Sequence, residues 1–301
     1  MKKLITILMA MVISIALTAQ SVSPEVVASA GDYYENGNVS LSWTLGEIST
    51  ETYSNGGVIL TQGFQQPVSV TIHGIDLDLL VFLEGPYSGS EMTTDLNSGN
   101  QIPLSQPYNT TPWNYAGTES VGSIPNANVV DWVLIELRDA ANAGAANTAS
   151  TIETQAAFLL KNGSVVGLNG SSVLQFPTAS FSQNLFAVVW HRNHIGIISA
   201  NGISESGGVY DYDFSTAITQ VYNGGAGYKE IVTGSGVYGM AGGDANGDGV
   251  IDAADKTLWV NDAGTEVGYK GTDHNMDTQV NNQDKNDIWL PNLGESDNVP
   301  N

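Results

Sequence analysis

Apolar and polar residues alternate over short stretches of this chain, the period of half-buried strands rather than of helices. Between residues 68 and 240 the pattern predicts strands at 68–75, 77–83, 129–138, 155–160, 164–168, 185–191, 195–200 and 209–214. Lys161-Asn162-Gly163 lies between two of these runs and reads as a tight turn. Residues 151–159 read equally as a short helix, because periodicity does not separate the two over so short a run. Many short strands with Gly, Asn and Ser punctuation point to a β-sandwich-like domain or a barrel over 68–240.

Residues 21–67 read as a smaller β module. Its candidate strands are 26–30, 38–45 and 58–64, with hairpin signals at Asn36-Gly37 and Asn55-Gly56-Gly57. Gln65-Gln66-Pro67 reads as a linker, since proline withholds a ladder donor. Residues 1–20 have the layout of a secretory signal peptide: Met1-Lys2-Lys3, then an apolar run over 4–19. That run is shorter than the roughly 17–25 residues of a membrane-spanning helix, and no other stretch suits a span. The expectation is export to the cell surface or the medium.

Composition narrows the chemistry. Charged residues are 13% of the chain, against roughly 25% in an average domain. They are 31 Asp and Glu against nine Lys and Arg, a net charge of −22, which becomes −24 if Lys2 and Lys3 leave with the signal. Such a balance argues against nucleic-acid binding and against a basic patch for anionic lipid. With no cysteine, disulfides, thiolate metal sites and thiol nucleophiles are excluded.

Residues 241–301 differ in kind. From 244 onward there are 12 acidic residues against three Lys, a net −9. Asp244, Asn246, Asp248, Val250, Asp252 and Asp255 occupy positions 1, 3, 5, 7, 9 and 12 of a D-x-N-x-D-G-x-I-x-x-x-D loop. Asp273, Asn275, Asp277, Gln279, Asn281 and Asp284 repeat those positions at an offset of 29 residues.

The spacing suits Ca²⁺, a hard ion that takes about 6–8 oxygens. Positions 1, 3 and 5 converge side-chain oxygens, and position 7 (Val250, Gln279) offers its carbonyl. Position 9 adds a side chain or a water, and position 12 closes the site from the next helix. Ile251 and Val280, at position 8, face inward and are expected to pair the loops as a miniature ladder. Loop two has one carboxylate fewer, and Thr278 where loop one has Gly249. A β-branched residue is strained at φ > 0, so two Ca²⁺ ions are expected, the first held more tightly.

The region over 244–301 resembles a dockerin type I module, two loop–helix units without the entering helix of an EF-hand. The resemblance implies an α-helical calcium module and docking onto a cohesin-like partner. Positions 10 and 11, Ala253-Ala254 and Asn282-Gln283, depart from the Ser/Thr pair that such modules often carry there. Packing against the chain's own β domain is equally compatible. More faintly, 26–31 through Gly63-Phe64-Gln65-Gln66 resembles secreted, haemagglutinin-like surface proteins of gliding-type Gram-negative bacteria.

Other candidates carry bland readings. Trp190-His191-Arg192-Asn193-His194 places two histidines side by side across a turn, with no third metal ligand nearby. Asp131, Glu136, Asp139, Glu205, Asp211 and Asp213 could supply a glycosidase pair, but are expected to be surface carboxylates. Gly202-Ile203-Ser204-Glu205-Ser206 lacks the closing glycine of a nucleophile elbow. Six Trp and 12 Tyr would suit sugar stacking, yet Trp43, Trp113, Trp132 and Trp190 are scattered. The expected function is a secreted, calcium-binding, non-catalytic binding or structural protein. The alternative is a polysaccharide-degrading enzyme, a glycoside hydrolase, or an accessory protein carrying a dockerin.

Overall fold

The computed structural model describes residues 30–36, 39–45, 52–55, 58–61, 74–265 and 267–301. The signal segment, the 65–67 linker and most of the 26–30 and 68–75 strands lie outside them. Residues 1–71 and 72–301 form two compact units.

In the first unit, β1 (Ala30–Asn36) pairs antiparallel with β2 (Val39–Leu45), closing at Asn36↔Val39. Likewise β3 (Thr52–Asn55) pairs with β4 (Val58–Thr61), closing at Asn55↔Val58. Both closures fall where the Asn-Gly signals stand.

The second unit is mainly β. Its strands are β5 (Ile75–Leu80), the short pair β6 (Tyr87–Ser88) and β7 (Glu91–Met92), β8 (Val129–Ala140), β9 (Thr151–Leu160) and β10 (Ser164–Val166). There follow β11 (Leu174–Phe176), β12 (Asn184–Trp190), β13 (Ile197–Ile198), β14 (Glu205–Ser206), β15 (Val209–Asp213), β16 (Tyr228–Glu230) and β17 (Tyr238–Met240). Nine of them build one sheet in the order β13-β12-β8-β9-β10-β5-β15-β14, with β11 also paired to β5. Residues 151–160 are therefore strand, not helix: β8 takes one edge and β10 the other. Gly163, at φ 89°, makes the β9–β10 turn.

At the sheet's centre, β8 is buried along nearly its whole length, only Asp139 being partly exposed. Its run V-V-D-W-V-L-I-E-L is the near-continuous apolar stretch of a strand covered on both faces. The polar residues embedded in it need partners. Arg138 is 1% exposed and donates Nε to Glu136 at 3.0 Å and Nη1 to the carbonyls of Ala146 and Pro300, each at 2.7 Å.

Residues 241–301 pack into this same unit. Ile195 donates its N–H to Ala241 at 2.9 Å. The Asn292 amide reaches the Gly242 carbonyl at 2.8 Å, and Lys229 joins Glu84 to Asn292 at 2.8 Å each. Helix α1 (Ala253–Asp262) follows loop one. A single π-helical turn, Asp284–Trp289, follows loop two, closed by Leu290 N–H to Lys285 O at 2.8 Å. Among the described residues no helix is long and apolar enough to cross a membrane.

Candidate metal centre

The two acidic loops close on themselves in the same way. In loop one the Asp244 carboxylate accepts from Asp248 N–H at 3.1 Å and Gly249 N–H at 2.9 Å. In loop two Asp273 accepts from Asp277 N–H at 3.1 Å and Thr278 N–H at 2.9 Å. Asn246 Oδ1 accepts from Asp248 N–H, and Asn275 Oδ1 from Asp277 N–H. Asp248 Oδ1 accepts from Val250 N–H, and Asp277 Oδ1 from Gln279 N–H. Asp255 accepts from Asn246 and Asp252, as Asp284 does from Asn275 and Asn281.

The backbone repeats as well. Gly247 and Gly249 stand at φ 71° and 83°, Met276 and Thr278 at 61° and 77°. Thr278 thus adopts the left-handed conformation that its β-branched side chain disfavours.

Position 9 caps the next element. Asp252 Oδ1 accepts from Ala254 N–H at 2.6 Å at the start of α1, and Asn281 Oδ1 from Gln283 N–H at 2.7 Å. At position 8 the inward face holds, Ile251 and Val280 being buried. The expected ladder between them does not form. Ile251 N–H donates instead to Glu295 O and its carbonyl accepts from Gly294, while Val280 O accepts from Gly264. The returning segment 294–297 fills the edge of loop one that Val280 was expected to fill.

Asp244, Asp255, Asp273 and Asp284 are all at most 2% exposed, and among the described residues no Lys or Arg forms an ion pair with any of them. Burial, reinforced by Asp255 and Asp248, lifts Asp244 to about 8. Burial, partly offset by Arg192 and reinforced by Asp284, lifts Asp273 to about 7. Burial also raises Asp255 and Asp284. Unneutralised buried carboxylates are costly, and a divalent cation would relieve that cost. Among the described residues no three His, Asp or Glu side chains form a metal cluster by themselves. The hard-oxygen set of each loop includes an Asn amide and a backbone carbonyl, which suits Ca²⁺ and not a soft metal.

Loop two is anchored to a buried polar network at the end of β12. The Asn193 amide donates to Asp273 O at 2.7 Å, while Arg192 donates to Lys270 O and lies 4.2 Å from the Tyr269 ring centroid. Arg192 Nε also meets Asp131 at 2.8 Å, and the Tyr269 hydroxyl donates to the same carboxylate at 2.7 Å. His191 and His194 do stand side by side, Nδ1 to Nδ1 at 3.0 Å, but both are buried inside this network. His191 Nε2 is 3.2 Å from Asp131, and Gly85 N–H donates to His194 Nε2 at 3.1 Å.

Asp131 and Glu136 are therefore not surface carboxylates; Asp131 is wholly buried and Glu136 9% exposed. Burial raises Asp131, but the Arg192 charge and the His191 hydrogen bond outweigh it and hold the carboxyl below its ordinary range. Burial raises Glu136 too, and Arg138 and Thr151 outweigh it. Glu205, Asp211 and Asp213 are exposed, as expected. The roles of Asp131, Tyr269 and Asn193 were not visible in the sequence, because the partners that join them into one network lie 60 or more residues away. Comparison with known protein families, curated proteins and solved structures gives no match.

Proposed function

We propose that this is a secreted or cell-surface calcium-binding protein, non-catalytic, with a dockerin-like pair of Ca²⁺ loops. The loops would bind two ions, through Asp244, Asn246, Asp248, Val250, Asp252 and Asp255, and through Asp273, Asn275, Asp277, Gln279, Asn281 and Asp284. The observation that carries this reading is the duplicated loop geometry around buried acids that form no ion pair with Lys or Arg among the described residues. The ions' first role is intramolecular: they tie the last 60 or so residues to the sheet through Asn193, Arg192 and Arg138. A docking role, onto a cohesin-like protein, finds support in the apolar side chains left exposed beyond each loop: Leu258, Val260, Leu290 and Leu293.

The glycosidase reading is the weaker one. A general acid needs a raised pKa, and the two buried carboxylates of the sheet, Asp131 and Glu136, are both held low by cations. Chelation of the mature chain tests the proposal. Removing calcium should lower its thermal midpoint by several degrees, and restoring calcium alone should bring it back. An unchanged midpoint would rule the reading out.

A further inference from the structure

A cleft of about 490 Å³ opens beside loop one, within the roughly 300–1,000 Å³ range of ligand pockets. Its floor is the sheet. Leu134, Glu136 and Arg138 alternate onto one face of β8, with Trp190 of β12 opposite Leu134, and Thr154 of β9 opposite Glu136. Trp113 and Tyr115 from the preceding loop, Asp248 of loop one, and Asp297 and Asn301 of the C-terminal tail form the walls.

Three aromatic rings in the cleft are part-exposed, and each is fixed from behind. Trp113 meets Tyr108 edge-on at 5.1 Å, and a Cβ on Gly247 would come within 2.5 Å of the Trp113 ring. The Tyr115 hydroxyl stands within hydrogen-bond reach of Glu119 Oε1, at 2.5 Å, and of Thr154 O, at 3.0 Å. Trp190 Nε1 donates to Glu136 Oε2 at 3.1 Å. Rings held this way offer flat apolar faces at little further loss of entropy.

Charge decides what such faces receive. The one cation in the lining, Arg138, is consumed by Glu136, Ala146 and Pro300, so an anionic ligand finds no partner. Glu136 is equally consumed, by Arg138, Trp190 and Thr151, and Asp248 belongs to loop one. Of the acidic side chains in the lining this leaves Asp297, which sits against the Gly249 turn of loop one. What the cleft offers freely is neutral: the side chains of Asn114, Thr148 and Asn301 are exposed at its rim.

Flat apolar faces flanked by amides and hydroxyls match a pyranose, which has a C–H face and equatorial hydroxyls. We propose that this cleft binds a neutral oligosaccharide, stacked on Trp113 and Trp190 and hydrogen-bonded at the rim. This goes beyond the calcium reading: Trp190 is held by the sheet, while Trp113 also rests on Gly247 of loop one.

The test is a titration of the ¹⁵N-labelled mature chain with soluble β-glucan, xylan, mannan and laminarin oligosaccharides, followed on the indole N–H resonances. At least one sugar should shift the Trp113 and Trp190 signals and leave in place buried Trp132 and Trp259, which is outside the lining. Trp190→Phe and Trp113→Ala should each weaken that sugar about tenfold without changing the circular dichroism. Trp190→Phe keeps the core filled should Trp113→Ala fail to fold. No shift with any of the sugars, shifts at Trp259 instead, or the same shifts produced by oligolysine would overturn the proposal. Calcium binding, measured separately by calorimetry, is unaffected by that result.

Discussion

Trp259 and Trp289 exchange places between the two loop units. The Trp259 indole donates to Asn281 O, in loop two, at 2.9 Å, and the Trp289 indole donates to Asp252 O, in loop one, at 3.0 Å. Two lysines follow the same exchange: Lys285 Nζ lies 4.6 Å from the Trp259 ring centroid, and Lys256 Nζ lies 5.7 Å from that of Trp289. Asp252 and Asn281 are 29 residues apart, as are Lys256 and Lys285, but the tryptophans are 30 apart. The π-helical turn at Asp284–Trp289 absorbs the extra residue. Without it Ile288 would stand where the crossing indole is needed.

Each loop should therefore feel the loss of the other unit's tryptophan. Trp289→Phe is expected to weaken calcium at loop one, and Trp259→Phe at loop two. Each should also cost about 0.5–1.5 kcal/mol of stability for the missing hydrogen bond. Urea unfolding gives the stability and calorimetry the affinities. Effects confined to the mutated unit would contradict the crossed arrangement.

Strain at loop two yields an opposite pair of outcomes. Thr278 sits at φ 77°, so Thr278→Gly should stabilise the protein by about 1 kcal/mol and tighten the weaker site. Gly249 sits at φ 83°, and a Cβ there would meet Asp297 Oδ2 at 2.1 Å. Gly249→Ala should destabilise by more than Thr278→Gly stabilises. Thermal midpoints at saturating calcium compare the two.

Much of the fold was legible in the residue pattern, and the reasons for the rest are physical. The long apolar runs at 129–138 and 185–191 became β8 and β12, shifted by one or two residues at their ends. Residues 151–159 were ambiguous because their strand character comes from β8 and β10, not from their own periodicity. Short strands such as β11 and β14 carry too few residues to show a period. The closed geometry of the two acidic loops was the most legible feature, since the hydrogen-bonded partners in each lie within 12 residues of one another. The network around Asp131 was the least legible, because it joins β8, the end of β12 and residue 269.

Asp131 is the centre of that network, and removing its charge takes away the carboxylate that ion-pairs with buried Arg192. Asp131→Asn is expected to cost about 3–5 kcal/mol, the usual penalty for breaking a buried ion pair. The loss should appear as a lower urea midpoint with an unchanged slope. A cost below about 1 kcal/mol would mean that Tyr269 and His191, not the charge, hold the junction.

Acid should act on the same junction. Burial holds His194 well below the ordinary histidine value of 6.5, and His191 below it as well. The unfolded chain takes up protons near pH 6.5 that the folded chain refuses, so this part of the stability is full above that pH and falls as pH drops. Asp131 adds a further loss as pH falls through and below 3.8, since its folded carboxyl ionises more readily than the unfolded one. His194→Gln should shrink the loss between pH 7 and pH 5 relative to the unaltered protein, as measured by urea midpoints at each pH. An identical pH profile in the variant would show that His194 titrates freely in the folded state.

Calorimetric titration of the metal-free protein with Ca²⁺ is the most direct measurement of the duplicated loops. Two ions should bind per chain, the tighter at loop one, with Asp244→Asn removing the first site and Asp273→Asn the second. No heat and no change in thermal midpoint at millimolar Ca²⁺ would contradict calcium binding outright.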